Sequence, residues 1–596
     1  MEDQKLENLL NLALDANEEE RGKSLNLGSA YDRLTSRWEI IVKYNGDISF
    51  LEEKGVTVTI LYGGYAILNT LAGYIESIAA LPQIEYLEIP KRLYFGVNQG
   101  KTASCIPAVR VAGVDGQLPD RAGLSQALTG SGVYIGIVDS GIDLSHPDFR
   151  NMDGSTRVKW LWDQTAQGKA PEGYRIGVEY SEAEINRLLA EYDQNKLPDR
   201  NPLPGVDNER HGTGVAGIAA GNGRDSNGRF TGVAPLSQLI VVKLGLPQPD
   251  SFPRTSELMQ ALDYVIGKAA AERTPAAINV SVGNTYGPHD GSSLLERYLD
   301  GAIGVGRTQI IIGSGNEGDA DGHASGRLEN PVRGGEEQTV EIELAVGNYE
   351  AGLNIQLWKS YADQFEVSLI TPSGQTVGPF SETAPVSRHR IEGADLLVLY
   401  GEPSPYRAAQ EIYLDFIPTG DYLESGIYRL RLRPIRIVDG VYHLWLPGRN
   451  ARNNATRFLR PTPETTLTIP STAQAAVSVG AYDPQRDTYA AFSGRGFTRI
   501  GQIKPDLTAP GVTIVSAAPG GGYAEYTGTS FAAPFVTGSA ALLMEWGIVR
   551  GNDPYLYGEK IKAYLIRGGG HLKGFEEYPN QQLGWGTLCL RESIPT

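Results

Sequence analysis

The chain has 596 residues, of which 41% are hydrophobic and 21% are charged, and its net charge at pH 7 is −17. A chain of this length is expected to form roughly two to four globular domains, and its acidity argues against a nucleic-acid partner because phosphate binding needs a basic face. Its two cysteines, Cys105 and Cys589, are too few for a disulfide framework.

The N-terminal stretch predicts neither export nor membrane insertion. Met1–Glu20 carries seven Asp or Glu residues where a secretory signal has a basic start and an apolar run. No segment of the chain approaches the ~18 apolar residues of a membrane span. The leucines between Leu6 and Leu14 predict a short, amphipathic, acidic helix instead. We therefore expect a protein that stays inside a cell or an internal compartment and has no membrane as partner.

The next stretch, Trp38–Tyr94, has the pattern of a small α+β domain. The predicted order is strand, helix, strand, strand, helix, strand, with the bounds Trp38–Tyr44, Ile48–Lys54, Val56–Tyr62, Tyr65–Leu71, Gly73–Leu81 and Ile84–Pro90. This βαββαβ order has the size of a ferredoxin-like unit. By itself, such a unit indicates a ligand-binding or interaction module.

The run Gly132–Asp143 predicts a buried parallel strand with an acid at its end. Its sequence, GVYIGIVDSGID, is apolar up to Asp139. Open α/β sheets place their sites at the carboxyl ends of such strands. Asp139 is therefore a candidate site residue, and the alternative is an aspartate that only caps the following turn.

The run Arg210–Gly221 predicts a helix of small residues with His211 at its start. Glycine and alanine allow this helix to pack closely and to hold the histidine near the sheet edge. A single histidine is more often structural than catalytic. The remaining histidines lack such a setting and are interpreted as structural or exposed: His146, His289, His323, His389, His443 and His571.

Near the C-terminus, Gly528–Leu543 predicts a close-packed apolar helix that begins at Ser530. We expect Pro534 in its first turn, where backbone N–H groups have no intrahelical partner to lose. A serine at a helix start lies in the positive field of the macrodipole, which stabilises a developing negative charge. For an isolated serine, the simpler interpretation is an N-cap of a core helix.

Together, Asp139, His211 and Ser530 supply an orienting carboxylate, a general base and a nucleophile. Their chain order is that of subtilisin. The motifs VDSGID, HGTGVAG and GTSFAAPFVTG make the chain resemble the subtilisin-like serine proteases, the subtilases, over Ala103–Gly326 and Leu467–Leu590. The resemblance implies a doubly wound parallel α/β sheet and serine endopeptidase activity through an acyl-enzyme.

The resemblance also implies an oxyanion hole. Asn316 stands where subtilases carry the asparagine whose side-chain amide acts together with the backbone N–H of Ser530. Losing one such donor costs ~3–4 kcal/mol of transition-state stabilisation. The residues before it, Gly313, Ser314 and Gly315, replace the usual Ala-Ala-Gly and are expected to line the substrate pocket.

Two further segments are implied to hold the substrate. Ser281, Val282 and Gly283 resemble the segment that pairs with the substrate as a β-strand and forms one wall of the S1 pocket. Leu244–Arg254 occupies the position of the opposite substrate edge, but it is rich in proline where the family has glycine and serine. The S2 and S4 preferences therefore stay open.

Two insertions interrupt the subtilase pattern. The smaller one, Met152–Asn208, includes a polar helix at Ser181–Tyr192. The larger one separates Asn316 from Ser530, and its alternating segments and turn signals over Glu336–Leu446 predict an all-β domain of jelly-roll type. Nothing in this domain looks catalytic, so it is either an inert brace or a substrate exosite.

The predicted organisation has four parts: a prodomain at 1–100, the first part of the subtilase catalytic domain at 101–326, the jelly-roll insertion at 327–465 and the second catalytic part at 466–596. This arrangement is similar to the Csp group of subtilases from spore-forming clostridia. That resemblance implies limited proteolysis of a spore-cortex hydrolase zymogen, a cut prodomain that often stays bound, and a cytoplasmic or spore-associated location. Because some Csp relatives are degenerate pseudoproteases, the alternative is a prodomain-blocked regulatory or sensor protein with little turnover.

We expect Ser530 to cut the chain's own prodomain within Gly96–Ala103. The expected partners are a protein or peptide substrate and the retained prodomain, and no cofactor is expected. Calcium is common among subtilases, but the one candidate pair in this chain, Asp319 and Asp321, fits a solvated loop better than a dense carboxylate site. The P1 preference and the oligomeric state stay open.

Overall fold

The computed structural model describes residues 4–95, 127–194, 203–246, 252–331 and 339–595. The chain forms two compact units. The α/β unit consists of Leu93–Gly283, Leu295–Asn316 and Pro470–Thr596. The β-rich unit consists of Met1–Arg92, Asn284–Leu294 and Glu317–Ile469.

The α-helices are α1 Asn8–Asp15, α2 Glu18–Lys23, α3 Ala72–Ala79, α4 Glu182–Asp193, α5 His211–Ala220, α6 Thr255–Ala271, α7 Leu294–Ala302, α8 Thr529–Met544, α9 Glu559–Arg567 and α10 Leu590–Ser593. Short 3₁₀ turns lie at Ser49–Lys54, Pro147–Phe149, Arg224–Ser226 and Arg449–Ala451, and a π turn at Glu545–Val549 extends α8. The strands are β1 Tyr31–Asp32, β2 Arg37–Tyr44, β3 Thr57–Leu61, β4 Tyr65–Leu71, β5 Ile84–Glu88, β6 Tyr94–Phe95, β7 Tyr134–Asp139, β8 Val158–Asp163, β9 Val178–Ser181, β10 Gln238–Lys243, β11 Ala276–Val280, β12 Val282–Gly283, β13 Thr308–Gly313, β14 His323–Arg327, β15 Val340–Val346, β16 Leu353–Ser360, β17 Gln364–Ile370, β18 Thr376–Phe380, β19 Val386–Ile391, β20 Ala394–Tyr400, β21 Ala409–Pro418, β22 Gly426–Arg436, β23 Val441–Trp445, β24 Arg457–Phe458, β25 Val477–Asp483, β26 Thr488–Tyr489, β27 Leu507–Pro510, β28 Ile514–Ala517 and β29 Tyr523–Tyr526.

A mainly parallel sheet forms the centre of the α/β unit. Its order is β26-β25-β13-β11-β7-β10-β8-β9, with β27 also paired to β25. The inner pairs are parallel, and β26 and β9 are antiparallel strands at the two edges. The parallel sheet agrees with the predicted α/β class, and β7 lies near its middle with Asp139 at its carboxyl end.

Helices cover both faces of this sheet. Ile135 and Ile137 of β7 belong to the same buried cluster as the apolar residues of α5 and α8. The residue between them, Gly136, faces the other way, and a Cβ atom there would come within 2.7 Å of Val265 on α6. Because successive side chains of a strand point to opposite faces, α5 and α8 lie on one side and α6 on the other, as in a doubly wound sheet.

Helix α8 is the central helix of the core in this unit. Most of its residues are fully buried, among them Phe531, Val536 and Leu542. Contrary to the expectation that no segment approaches the length of a membrane span, Thr529–Val549 is apolar enough to cross a membrane by length and composition alone, but 78% of its apolar window is buried inside the protein. We interpret this segment as the core helix of a globular unit, as the sequence predicted.

The N-terminal part of the β-rich unit contains a small antiparallel sheet. β2 pairs with β4 on one side and with β5 on the other, and β3 pairs with β4. Helix α3 connects β4 to β5, as predicted, whereas the predicted helix at Ile48–Lys54 is a 3₁₀ turn that ends at Gly55 in the left-handed conformation. The acidic N-terminal stretch forms two helices, α1 and α2, where the sequence predicted one.

The larger insertion forms two antiparallel sheets. One has the order β14-β23-β16-β21-β20-β19 and the other the order β18-β17-β22-β15-β24. A cluster of buried apolar side chains, which includes Leu357, Phe416 and Leu432, draws on strands of both sheets. In β22 burial alternates along the strand, so that one face packs against this common core, whereas every residue of β21 is buried.

Helices α1 and α2 pack on the inserted strands within the same unit. Leu10 and Leu12 share a buried cluster with Leu397, Leu399 and other residues of β20 and β21. Polar contacts surround this cluster: Arg388 pairs with Asp15 at 2.6 Å and with Glu20 at 2.9 Å, and Asn26 donates to the Tyr413 hydroxyl at 3.2 Å. The N-terminal segment and the insertion thus have a continuous core, which the sequence did not predict.

Candidate active site

Three elements of the α/β unit carry the predicted catalytic residues. Asp139 is the last residue of β7, His211 is the first residue of α5, and Ser530 is the second residue of α8. All three side chains are buried. Gly528 is the N-cap of α8, so Ser530 lies inside the helix and the simpler N-cap interpretation is wrong.

Asp139 and His211 form a direct pair. His211 Nδ1 lies 2.6 Å from Asp139 Oδ1, which also accepts a hydrogen bond from the Ser140 N–H at 2.7 Å. A carboxylate at Nδ1 keeps the proton on that nitrogen and leaves Nε2 as the nitrogen that can take up a second proton. This arrangement is that of an oriented general base.

A second carboxylate, Asp207, holds the start of the histidine helix. The Ser140 hydroxyl donates to Asp207 Oδ1 at 2.7 Å and accepts from the Gly212 N–H at 3.0 Å, and Asp207 Oδ2 accepts from the Thr213 N–H at 2.8 Å. Asp207 was not among the predicted site residues. The signal that was available is an acid just before a helix N-terminus, where its charge is favourable.

Ser530 and Ser281 exchange two hydrogen bonds. The Ser530 hydroxyl donates to the Ser281 carbonyl oxygen at 3.3 Å, and the Ser281 hydroxyl donates to the Ser530 carbonyl oxygen at 3.0 Å. The second bond has a clear cause in Pro534, which lies inside α8 and not in its first turn as predicted. Proline has no N–H, so α8 cannot satisfy the Ser530 carbonyl from the fourth residue on, and Ser281 supplies the missing donor.

An aromatic contact links the histidine to the serine helix. The ring of His211 lies 5.1 Å from the ring of Phe531, the residue after Ser530, and Phe531 stacks on Tyr526 at 4.8 Å. Gly214 of α5 also lies against Tyr526, where a Cβ atom would come within 2.9 Å of the ring. Small residues on α5 therefore bring His211 close to the start of α8.

Asn316 is oriented by the residue before Ser530. Its side-chain oxygen accepts from the Thr529 N–H at 3.0 Å and from the Thr529 hydroxyl at 3.1 Å. Since the oxygen is occupied, Nδ2 is the donor that remains for a ligand. The Gly315 N–H donates to the same Thr529 hydroxyl at 3.1 Å, and a Cβ atom at Gly313 would lie 3.1 Å from the Thr529 carbonyl oxygen. Strand β13 therefore ends directly against the start of α8.

Ser314 differs from its neighbours in its contacts. It is fully buried, its N–H donates to the Val479 carbonyl oxygen at 2.8 Å, and its hydroxyl lies 3.4 Å from that of Ser493. Ser314 therefore lies directly after the end of β13 and beside β25. Gly313 and Gly315 are the members of this predicted group that meet Thr529.

The predicted substrate edge already carries a strand of the same chain. β12 pairs antiparallel with β6, so that Val282 lies opposite Phe95 and Gly283 lies opposite Tyr94. On the other side, the Leu93 N–H donates to the Pro253 carbonyl oxygen at 2.7 Å. Pro253 lies in the segment predicted as the opposite edge, so the two predicted edges enclose one extended segment, Leu93–Phe95.

Three of the other histidines pack around one tryptophan. His289, His323 and His443 stack on or beside Trp445, with ring centroids 4.1, 4.7 and 5.3 Å from it. Burial lowers the pKa of His323 well below its usual value, with His443 as a further cause. These contacts fit the structural role that the sequence predicted.

In the part of the chain that the structure describes, no cluster of three or more His, Cys, Asp or Glu side chains is placed to hold a metal ion. The weak calcium candidates are each paired with a cation. Asp319 is bound by Arg449, and Asp321 lies 3.2 Å from Arg457. These carboxylates therefore have partners within the protein.

Comparison with known proteins identifies the family. Residues 4–91 match the family described as "Csp protease B prodomain", and residues 130–409 and 452–586 match the one described as "Subtilase family". The chain belongs to the subtilase family. Among solved structures, this subtilase is similar to the CspB protease of Clostridium perfringens, with 34% sequence identity, a TM-score of 0.71, and coverage of 78% of this chain and 93% of that one.

Two curated relatives match shorter parts. Serine protease AprX of Bacillus subtilis is 32% identical over 150 residues, which cover 22% of this chain and 32% of AprX. The C5a peptidase of Streptococcus pyogenes is 24% identical over 445 residues, which cover 70% of this chain and 34% of that protein. This subtilase therefore spans only a third of the length of these two relatives.

Proposed function

We propose that this subtilase is a serine endopeptidase that cleaves peptide bonds through an acyl-enzyme on Ser530. Two contacts of His211 carry the proposal. Its Nδ1 lies 2.6 Å from Asp139 Oδ1, and its ring lies against Phe531, the residue after Ser530. An oriented imidazole beside a serine at a helix start is the arrangement that activates a hydroxyl nucleophile.

In the proposed mechanism, Ser530 Oγ attacks the carbonyl carbon of the substrate while its proton moves to His211 Nε2. Asp139 holds the proton on Nδ1 and stabilises the imidazolium that forms. When the C–N bond breaks, the same histidine gives its proton to the leaving amine. A water molecule then attacks the acyl-enzyme with His211 again as base, which releases the acid and restores Ser530.

The negative charge of the tetrahedral intermediate requires donors. We assign this role to Asn316 Nδ2 and to the backbone N–H of Ser530. Two features support the assignment: Thr529 holds the amide so that its nitrogen is the remaining donor, and Ser530 lies in the first turn of α8, where N–H groups are not used within the helix. Gly313 and Gly315 let the chain approach this point closely.

For the substrate, we propose an extended polypeptide that pairs with Ser281, Val282 and Gly283 by strand addition. The antiparallel pairing of Val282 and Gly283 with β6, a strand of the chain itself, supports this proposal. Following the Csp resemblance, we propose a protein zymogen as the target of limited proteolysis, in a cytoplasmic or spore-associated location. Nucleic acid and membranes have no part in this proposal.

We further propose that the first substrate is the chain itself. β6 lies on the substrate edge and ends at Phe95, and the predicted cleavage segment Gly96–Ala103, which lies outside the described residues, begins at the next position. After cleavage, we expect the prodomain to stay bound, because its helices share a buried cluster and the Arg388 ion pairs with the insertion.

The finer fold assignments are also proposals. The strand order β5-β2-β4-β3 supports a ferredoxin-like prodomain, and the two facing antiparallel sheets support a jelly-roll insertion. We propose the prodomain at 1–100, the catalytic parts at 101–326 and 466–596, and the insertion at 327–465. In this scheme the insertion serves as a brace for the prodomain.

The occupied substrate edge also fits the alternative, a regulatory protein whose own prodomain blocks the site. One experiment separates the two: intact-mass analysis of purified wild type, Ser530→Ala and Ser539→Ala. Ser539 is a buried serine of the same helix, bonded to the Phe535 carbonyl at 2.8 Å, and serves as the matched control. We expect wild type and Ser539→Ala to split within Gly96–Ala103 and Ser530→Ala to stay whole. If all three stay whole, or all three split alike, self-cleavage by Ser530 is rejected.

A further inference from the structure

The segment Leu93–Phe95 lies in the predicted substrate edge and has backbone contacts on both sides. On one side it pairs with Val282 and Gly283, and on the other the Leu93 N–H reaches the Pro253 carbonyl oxygen. In such strand addition, main-chain bonds give affinity, and the pockets for alternate side chains give specificity. The side chains of Leu93 and Tyr94 therefore indicate what the edge accepts at these two positions.

Tyr94, the residue opposite Gly283, has an aromatic partner across the edge. Its ring lies 5.3 Å from the ring of Phe252, at an interplanar angle of 53°. Phe252 keeps 48% of its surface exposed, so the contact with Tyr94 does not bury the whole ring. It is placed where a substrate side chain at the Tyr94 position would meet it.

The backbone that carries Phe252 is firmly anchored. Two residues later, Arg254 is the N-cap residue of α6, and its N–H and guanidinium donate to the Glu257 carboxylate at 3.0 and 2.7 Å. Both side chains of this pair are buried. Phe252 is therefore presented from a fixed helix start, which lowers the cost of ordering its ring when a ligand binds.

Leu93, the residue before Tyr94, has a different environment. Leu93 is fully buried, with 0% of its surface exposed, while its backbone keeps the bond to Pro253. A polar side chain at that position would lose its contact with water, which is unfavourable unless a hydrogen bond replaces it. The segment thus combines a buried aliphatic residue with an aromatic residue at the next position.

We propose that Phe252 is a specificity-determining residue of this subtilase, which selects protein substrates with an aromatic side chain at the position that pairs with Gly283 and an aliphatic one immediately before it. The inference rests on the proposed endopeptidase function and names the substrate class of that site. Aromatic pairs contribute beyond their buried area, by an amount that corresponds to about a 2- to 12-fold change in an equilibrium. Phe252 therefore acts on substrate binding, and its effect belongs in KM.

The test uses the full-length protein and internally quenched peptides with the chain's own sequence from Lys91 to Gln99. One peptide keeps the tyrosine of position 94 and the matched peptide has alanine there. Wild type, Phe252→Ala and Phe252→Tyr are compared after the active serine has been counted with a fluorophosphonate probe. We expect wild type and Phe252→Tyr to prefer the tyrosine peptide by about 2- to 12-fold in kcat/KM, through KM, and Phe252→Ala to lose the preference. An equal preference in all three enzymes overturns the proposal.

A second measurement applies even where the chain's own segment keeps peptides out. Tyr94→Ala and Phe252→Ala are each expected to speed the labelling of Ser530 by the probe, and the double variant is expected to be no faster than the faster single one, because both remove the same contact. Additive effects, or no effect, overturn the proposal. Failure of the endopeptidase function is recognised separately, since Ser530 would then neither react with the probe nor cleave any peptide.

Discussion

Replacing Ser281 with alanine removes the hydroxyl that bonds the Ser530 carbonyl oxygen at 3.0 Å. Pro534 offers that carbonyl no N–H, so the variant leaves a buried acceptor without its donor. Such a loss costs about 1–3 kcal/mol. We expect the free energy of unfolding to fall by this amount.

The cause can be isolated by adding Pro534→Ala, which restores an N–H four residues after Ser530. In that background the helix can satisfy the carbonyl itself, so Ser281→Ala should cost less, by about 1 kcal/mol or more. The bond that Ser281 accepts from Asn279 is lost in both backgrounds and cancels in the comparison.

Urea unfolding followed by tryptophan fluorescence measures the four proteins of this cycle. All of them carry Ser530→Ala, which keeps the backbone carbonyl and prevents self-cleavage. If Ser281→Ala costs the same with proline and with alanine at position 534, the helical N–H that Pro534 lacks is not the reason for the Ser281 contact.

Three further predictions concern the site and the prodomain. Asp139→Asn should lower kcat by about 10⁴-fold, because the amide no longer holds the proton on His211 Nδ1; a loss below tenfold in peptide hydrolysis would contradict this role. Asn316→Ala should lower kcat by about 10²–10³-fold with little change in KM, while Ser539→Ala should leave both constants unchanged. Burial raises the pKa of Glu7 from 4.5 to about 7, while Lys91 lowers this pKa and Glu88 raises it. Arg407 and Glu411 line the same small cavity as Glu7. Because the pKa of Glu7 is higher in the folded protein, its contribution to the free energy of unfolding is complete below pH 4.5 and is lost as the pH rises to about 7. Glu7→Gln should flatten this part of the curve of unfolding free energy against pH, and an unchanged curve would contradict the prediction.

Much of the geometry of the candidate site could be predicted because each of its residues lies in a local sequence pattern. An apolar strand that ends in Asp139, a small-residue helix that begins with His211, and a helix start at Ser530 are all visible in a few consecutive residues. Parallel strands then bring their carboxyl ends to one edge of the sheet. The site is therefore encoded by short motifs together with a general property of α/β sheets.

The contacts that were missed depend on residues far apart in the chain. Nothing near Pro534 indicates that Ser281, 249 positions before Ser530, supplies the donor that the proline lacks. Asp207 has no motif of its own and acts through Ser140, 67 positions away. Helix α1 packs on β20 and β21 through its apolar face. The periodic pattern that predicts this face does not indicate which strands cover it.

The shared core of the N-terminal helices and the insertion also constrains how the chain is made. Asn8 donates to the Glu402 carbonyl oxygen, 394 positions later. At about 5–20 residues per second, a ribosome needs roughly 20–80 s to complete that distance. During this time the side of α1 that packs on β20 and β21 stays uncovered, although its other apolar residues can already pack with the strands of the N-terminal sheet.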